Sequence, residues 1–129
     1  MALPPFDQLV TFIFTDDLDA SSHFYGNILE LPLALDQGAC RIYSSGSGGF
    51  LAVCRKADPS YSRDGVIVTL VTEDVDGWHE HIKAKGITFE KPPALNKEYN
   101  VYNCFLRDPA GYLIEIQRFL DPSWPKASR

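Results

Sequence analysis

An internal repeat constrains the fold of this chain more than any other feature of its sequence. Residues 10–19 (VTFIFTDDLD) align with residues 67–76 (IVTLVTEDVD), 57 positions further along the 129-residue chain. Each segment is an apolar run of strand length that ends in a threonine, two acidic residues, an aliphatic residue and an aspartate. Short acidic side chains directly after a strand are typical of a helix N-terminus, since they accept hydrogen bonds from its free amides. The repeat therefore predicts two units that each begin with a strand followed by a helix.

The rest of each half reads as further short strands. Apolar residues recur at three- and four-residue steps after each acidic cluster, which predicts one amphipathic helix in each half. Three strand patterns follow each helix: 33–36, 40–44 and 49–55 in the first half, and 87–90, 100–107 and 112–119 in the second. The order βαβββ thus occurs twice and predicts an α+β fold. Two paired βαβββ modules, about 7–56 and about 65–120, would form one curved, concave mixed sheet with helices on the outside, in a single domain over 1–129.

The charge and the apolar pattern of the chain argue against several classes of partner. Seventeen acidic and twelve basic residues give a net charge of −5. Nucleic acid and anionic membrane surfaces both require clusters of basic side chains, so we expect neither as a partner. No apolar run approaches the roughly 20 residues of a membrane-spanning helix, and the first residues do not resemble a signal peptide. These features favour a cytoplasmic protein.

The cysteines are few and widely spaced. Cys40, Cys54 and Cys104 form no CxxC motif and no short-range pair. A low, odd count of this kind predicts reduced thiols, and a disulfide scaffold is not expected. Cys54 and Cys104 lie in strand patterns with no histidine nearby in the sequence, which favours buried, unreactive thiols.

Two motifs make the chain resemble the vicinal oxygen chelate superfamily, the glyoxalase I/bleomycin-resistance/extradiol-dioxygenase group. Residues 17–25 (DLDASSHFY), followed by 28–33 (ILELPL), are similar to the first helix and turn of that family. Residues 105–116 (FLRDPAGYLIEI) are similar to its closing hairpin. The glycine of the family's turn is not matched, since Glu30 precedes Leu31 here. The resemblance covers roughly residues 8–119 and implies the paired-module fold and a homodimer, while the fold itself hosts many functions.

The resemblance also implies a divalent metal site, which the residues of this chain do not reproduce. Family enzymes take their ligands from the first and last strands of each module. Carried over by position, the closing ligand matches Glu115, whereas the first-strand positions fall on Val10 and Ile67, which cannot bind a metal. The fourth position falls in residues 51–54, which contain no carboxylate. The three histidines lie in the predicted helices, away from the concave face, so we predict no metal and no other cofactor.

Glu115 is the one candidate for a catalytic residue. Strand alternation places it on one face with Leu113 and Gln117, and a mid-strand carboxylate desolvated in a concave pocket would suit general acid–base work. The alternative is a carboxylate that is merely hydrogen-bonded or paired with an arginine.

Aromatic and cationic residues are the candidates for ligand binding. Phe12, Phe14 and Tyr43 would line the concave face, and Arg41 would offer a clamp for a carboxylate or phosphate. Tyr102 could stand at the mouth of the pocket. The alternatives are an outward-facing Arg41, or one paired with Glu115, and an ordinary exposed aromatic at Tyr102.

These observations predict a metal-independent small-molecule binding or sequestering protein of the glyoxalase/bleomycin-resistance type. The alternative is a metal-dependent, glyoxalase-type lyase or isomerase that uses Glu115 as a ligand or base. A ring-cleaving dioxygenase is disfavoured, because its iron requires two histidines and a carboxylate. Whether the chain is an enzyme stays open at this point.

Overall fold

The chain forms two βαβββ modules, each with its own four-stranded mixed sheet. The computed structural model describes residues 3–58 and 62–126, which fall into two compact units that separate between residues 58 and 62. We call them module one and module two. The α+β class and the two-module order predicted from the repeat are both confirmed. In the described part of the chain, no helix is long and apolar enough to cross a membrane.

Module one begins with a strand and a short helix that continues as a wider π-helical segment. Its elements are β1 (Leu9–Thr15), α1 (Leu18–Ser22), the π-helical segment (His23–Ile28), β2 (Leu33–Asp36), β3 (Cys40–Gly46) and β4 (Gly49–Arg55). The strand order is β1–β4–β3–β2, with β1 parallel to β4 and the other pairs antiparallel. Asp17 caps α1, its carboxylate accepting a hydrogen bond from the Ala20 amide at 3.1 Å.

Module two repeats this order with a longer helix. Its elements are β5 (Ile67–Val71), α2 (Val75–Ala84), β6 (Lys91–Asn96), β7 (Val101–Arg107) and β8 (Leu113–Phe119), in the order β5–β8–β7–β6. Asp74, 57 residues after Asp17, caps α2 by accepting a hydrogen bond from the Gly77 amide at 2.8 Å. The acidic clusters of the repeat therefore act as helix caps in both modules, as predicted.

The second strand of module two lies further along the chain than the sequence predicts. The strand expected over 87–90 is wrong, because β6 spans Lys91–Asn96 and includes Pro92 and Pro93. The pairing of β6 with β7 shifts register between Lys91 and Ala94, at the two prolines. Proline has no amide hydrogen to donate, so it is tolerated in a strand at a bulge or a sheet edge. β6 is the edge strand of its sheet and meets both conditions.

The expectation of three reduced thiols is wrong for two of the cysteines. Cys40 and Cys54 are directly opposite each other on β3 and β4 and are joined by a disulfide, with their Cα atoms 4.0 Å apart. The turn between β3 and β4 lies midway between the two cysteines in the sequence. This symmetric spacing is the signal that could have indicated the pair. Cys104 is a free, buried thiol, as predicted. Burial raises the pKa of the Cys104 thiol to about 11.

Each module buries its apolar side chains between its helix and one face of its sheet. In both modules, strand residues alternate between this helix-facing side and the opposite side, which we call the helix-free face. The buried apolar residues on the helix-facing side include Ile13, Phe24, Tyr25, Leu51 and Val53 in module one, and Val75, Ile82, Leu106, Ile114 and Ile116 in module two.

Candidate functional site

The helix-free face of module two carries a row of polar side chains, one from each strand. Lys91 lies on β6, Asn103 on β7, Glu115 on β8 and Thr69 on β5. Their strand neighbours point the other way, since Ile114 and its counterparts on β7 are buried on the side of α2. We call these four residues the polar row. The predicted candidate Glu115 therefore lies on an inner strand of the sheet and has a polar neighbour of the row on each side.

Hydrogen bonds connect the polar row across all four strands. Glu115 Oε1 accepts a hydrogen bond from Thr69 Oγ1 at 2.8 Å, and Glu115 Oε2 accepts one from Asn103 Nδ2 at 2.7 Å. The other end of the Asn103 amide, Oδ1, accepts a hydrogen bond from Lys91 Nζ at 2.8 Å. Asn103 is only 2% exposed. A buried amide with both ends paired is held in one orientation, so the hydrogen bonds hold the side chains of the row in one arrangement.

Lys91 is the cation of this row. Its ammonium group also donates to the Asn103 backbone carbonyl at 3.2 Å and lies 5.6 Å from the centroid of the Phe105 ring. Among residues 3–58 and 62–126, no carboxylate forms an ion pair with Lys91. The positive charge is therefore linked to Glu115 only through the neutral Asn103 amide.

Lys91 and Thr69 are not among the site residues that the sequence predicts. Lys91 directly follows the end of a predicted strand, so its direction cannot be read from alternation. Thr69 could have been found from the repeat, because it is equivalent to Phe12 at the 57-residue offset and its strand pairs directly with that of Glu115.

The helix-free face of module one is aromatic and apolar. Phe12 is 54% exposed on β1, with Val10 and Phe14 on the same side of the strand. The Lys56 ammonium lies 5.3 Å from the centroid of the Phe14 ring, a distance typical of a cation–π contact. The disulfide between Cys40 and Cys54 lies on this same face, because Cys54 is the register partner of Phe14.

Arg41 and Tyr43 lie on the opposite side of that sheet, so their predicted place beside Phe12 and Phe14 is wrong. Arg41 Nη1 donates to Ser22 Oγ at 2.8 Å. Tyr43 is 3% exposed and packs against Tyr25, with ring centroids 6.3 Å apart. The physical reason is register: β3 pairs both residues with buried, helix-facing positions of β4.

Arg41 and Tyr43 instead line an open cleft on the helix-facing side of module one. The cleft has a volume of about 780 Å³ and lies between the helical segment and strands β2 and β3. Arg41 is 3.5 Å from Asp19 Oδ1 and 3.6 Å from Asp36 Oδ2. Its guanidinium is therefore already compensated by two carboxylates of its own module. Of the alternatives considered for Arg41, the structure supports the one in which it faces away from Phe12 and Phe14.

Tyr102 also lies on the helix-facing side, away from the polar row. Its hydroxyl donates a hydrogen bond to Asp76 Oδ1 at 2.6 Å, at the start of α2. This hydrogen bond is the main reason that the pKa of Tyr102 is raised above its ordinary value. The residue before Asn103 on β7 must point away from the polar row, so Tyr102 does not lie on the helix-free face that the predicted pocket would occupy.

The donor groups present do not fit the metal site that the family resemblance implies. Two of the four ligand positions hold Val10 and Ile67, and both oxygens of Glu115 accept hydrogen bonds within the polar row. In the described ranges, no group of three or more His, Cys, Asp or Glu side chains is close enough to hold a metal ion. His79 and His81 are on α2, as expected, and the His79 ring packs against Phe89.

Comparison with known proteins places the chain in one family. The family model of the glyoxalase/bleomycin resistance protein/dioxygenase superfamily matches residues 6–116. Similar solved structures include a glyoxalase/bleomycin resistance protein/dioxygenase from Nocardioides, at TM-score 0.73 and 22% identity, covering 100% of this chain and 93% of that one. The lactoylglutathione lyase of Agrobacterium tumefaciens has TM-score 0.71 and 23% identity, covering 90% of this chain and 96% of the other.

A third similar structure is TioX from Micromonospora sp. ML1, with TM-score 0.73 and 21% identity over 88% of this chain and 98% of that one. No curated protein matches the chain. At these identities the solved structures show a shared fold and no more. The match of the family model over most of the sequence goes further: the chain belongs to the glyoxalase/bleomycin resistance protein/dioxygenase superfamily.

Proposed function

We propose that this chain is a metal-independent small-molecule binding or sequestering protein. The observation that carries the proposal is the bonding of Glu115, the one residue of the usual metal-ligand set that is present. Thr69 and Asn103 each donate a hydrogen bond to one of its oxygens, and Lys91 stands behind Asn103. A metal ligand set brings several anionic or neutral donors to one point, whereas this row gives a single carboxylate two hydrogen-bond donors, one of which is itself bonded to an ammonium group.

The helix-free face of module one supports the binding role. Small-molecule sites are mostly apolar and contain a few polar groups that fix orientation. Phe12 leaves about half of its surface exposed next to Val10, so an apolar or aromatic ligand would remove this surface from water. Each square ångström of apolar surface covered would contribute roughly 25 cal/mol before the costs of binding.

The second candidate function is a glyoxalase-type lyase or isomerase in which Glu115 acts as a base. The observation that favours it is that a carboxylate has about four lone-pair sites, of which the described hydrogen bonds use two. Glu115 also occupies the closing ligand position implied by the family resemblance. A base at this point would act on a substrate proton within hydrogen-bond reach of the remaining lone pairs.

The binding proposal is tested by titrating the protein with aromatic and anionic small molecules in buffer containing a chelator. Binding would be mapped by backbone amide chemical shifts, and Phe12→Ala would be compared with Leu33→Ala. Leu33 is 51% exposed in the same module but on the helix-facing side, so it controls for loss of exposed apolar surface. We expect binding without metal that weakens in Phe12→Ala only. Binding that requires an added divalent metal would contradict the proposal and favour the lyase.

A further inference from the structure

The charge on Lys91 is incompletely compensated on the helix-free face of module two. Its ammonium group has three N–H donors, and within the described residues two of them are used by the Oδ1 and backbone oxygens of Asn103. Both acceptors are neutral. Lys91 is partly buried, and a partly desolvated ammonium group is stabilised most by a direct anionic partner. The third donor is therefore suited to an anion that the module itself does not supply.

The surroundings of Lys91 indicate what kind of anion would fit. The Phe105 ring lies on the same face, as the register partner of both Lys91 and Glu115, and is partly exposed. An aromatic ring can therefore contact Phe105 while its anionic substituent reaches the ammonium group. Glu115, one strand further from Lys91 than Asn103, repels a second negative charge on the ligand. Two strand spacings, roughly 9–10 Å, separate the backbones of β6 and β8, which favours a small monoanion at the β6 end of the polar row.

We propose that Lys91 is the anion-recognition residue of a ligand site on the helix-free face of module two, and that this site takes a small aromatic carboxylate. This inference rests on the proposed binding function and adds a ligand class for module two, while Phe12→Ala tests the aromatic face of module one on its own. The carboxylate would accept a hydrogen bond from the third Lys91 donor, while Asn103 keeps the ammonium group in place. A charge-assisted hydrogen bond of this kind distinguishes a carboxylate from its neutral amide by about tenfold or more in affinity.

Matched pairs of ligands test the proposal. Benzoate and benzamide, and 2-naphthoate and 2-naphthamide, would be titrated by calorimetry and by amide chemical shifts at one pH and ionic strength. Lys91→Met removes the charge at similar length, Lys91→Arg retains it, and Lys97→Met removes one exposed charge from the same module as a control. Circular dichroism and thermal unfolding would verify that each variant folds.

We expect the carboxylates to bind about tenfold more tightly than the amides in the unmodified chain and in Lys97→Met. This preference should disappear in Lys91→Met and persist in Lys91→Arg. Equal binding of acids and amides by the unmodified chain would overturn the role of Lys91 but leave the proposed binding function standing. A preference for the carboxylates that survives in Lys91→Met would also overturn the role of Lys91 and leave the proposed binding function standing. No binding of any of the four compounds would overturn the ligand class, and binding of other aromatic molecules would then decide the proposed function separately.

Discussion

Asn103 lies between the two charged residues of the polar row and is hydrogen-bonded to both. Its amide oxygen accepts from Lys91 and its amide nitrogen donates to Glu115. Reversing the amide would place its nitrogen against an ammonium group and its oxygen against a carboxylate, which is unfavourable at both ends. The single residue therefore gives the row a direction, with its cation at β6 and its carboxylate at β8. At the residue scale, the site depends on a neutral side chain that no charge pattern in the sequence singles out.

Glu30 has a backbone conformation that residues with a side chain rarely adopt. It follows the π-helical segment with φ of 58°, in the left-handed region that favours glycine. This is the turn at which the family resemblance implies a glycine. We expect Glu30→Gly to raise the free energy of unfolding by about 1 kcal/mol, measured by urea denaturation. The control is Glu98→Gly, at an exposed position outside the left-handed region, which should not stabilise the protein. Equal effects of both variants would contradict the argument.

Cys104 makes the stability of the protein depend on alkaline pH. Burial raises its folded-state pKa from 9.0 to about 11, so between these values the folded chain retains a proton that the unfolded chain has lost. Its contribution to stability is complete below about pH 9 and is lost as the pH rises towards about 11. We expect the free energy of unfolding to fall more steeply over this window in the unmodified chain than in Cys104→Ala. Parallel pH profiles would show that Cys104 has no such role.

At the scale of elements, the disulfide joins neighbouring strands of module one. Cys40 and Cys54 are 14 residues apart in the sequence, and the bond links β3 to β4 at the end away from their turn. Closing a loop of this length in the unfolded chain contributes about 3 kcal/mol to stability in the chain-entropy account. The expected result is that the double variant Cys40→Ala/Cys54→Ala loses about that much. Under non-reducing conditions, the intact mass of the unmodified chain should be two hydrogens lower than the mass of the fully reduced chain. A mass corresponding to three free thiols would contradict the pairing.

The elements also show which parts of the site the sequence could predict. The repeat correctly predicted the two capping aspartates, Asp17 and Asp74, because a cap depends only on residues close in the chain. It did not predict the strand that carries Lys91, because two prolines argue against a strand unless its bulge and edge position are known. The sequence also predicts the wrong face for Arg41, since its partners Asp19 and Asp36 become neighbours only after the helix has folded onto the sheet.

At the scale of the whole molecule, the two modules share an architecture and differ in chemistry. Phe12 and Thr69 are equivalent in the repeat, yet one belongs to an aromatic face and the other to the polar row. Both modules keep the same pattern of apolar residues, and both have the same order of strands. The chemistry of each helix-free face follows from substitutions at a few positions, which a shared fold leaves free.

The oligomeric state is a property of the whole molecule that the family resemblance implies and that can be measured directly. We expect a homodimer in sedimentation velocity at micromolar concentration. The sedimentation coefficient should correspond to twice the 14.4 kDa mass of one chain, and it should not change on addition of a chelator, because the proposed function does not involve a metal. A monomer at all concentrations tested would contradict this expectation.

The metal content of the purified protein tests the central claim most directly. The chain would be prepared without a chelator and without a histidine tag, and analysed by elemental mass spectrometry. The donor set around Glu115, with aliphatic residues at Val10 and Ile67, predicts transition metals far below one per chain. A transition metal near one equivalent per chain, retained on dialysis and lost in Glu115→Gln, would contradict metal-independent binding and would establish Glu115 as a ligand.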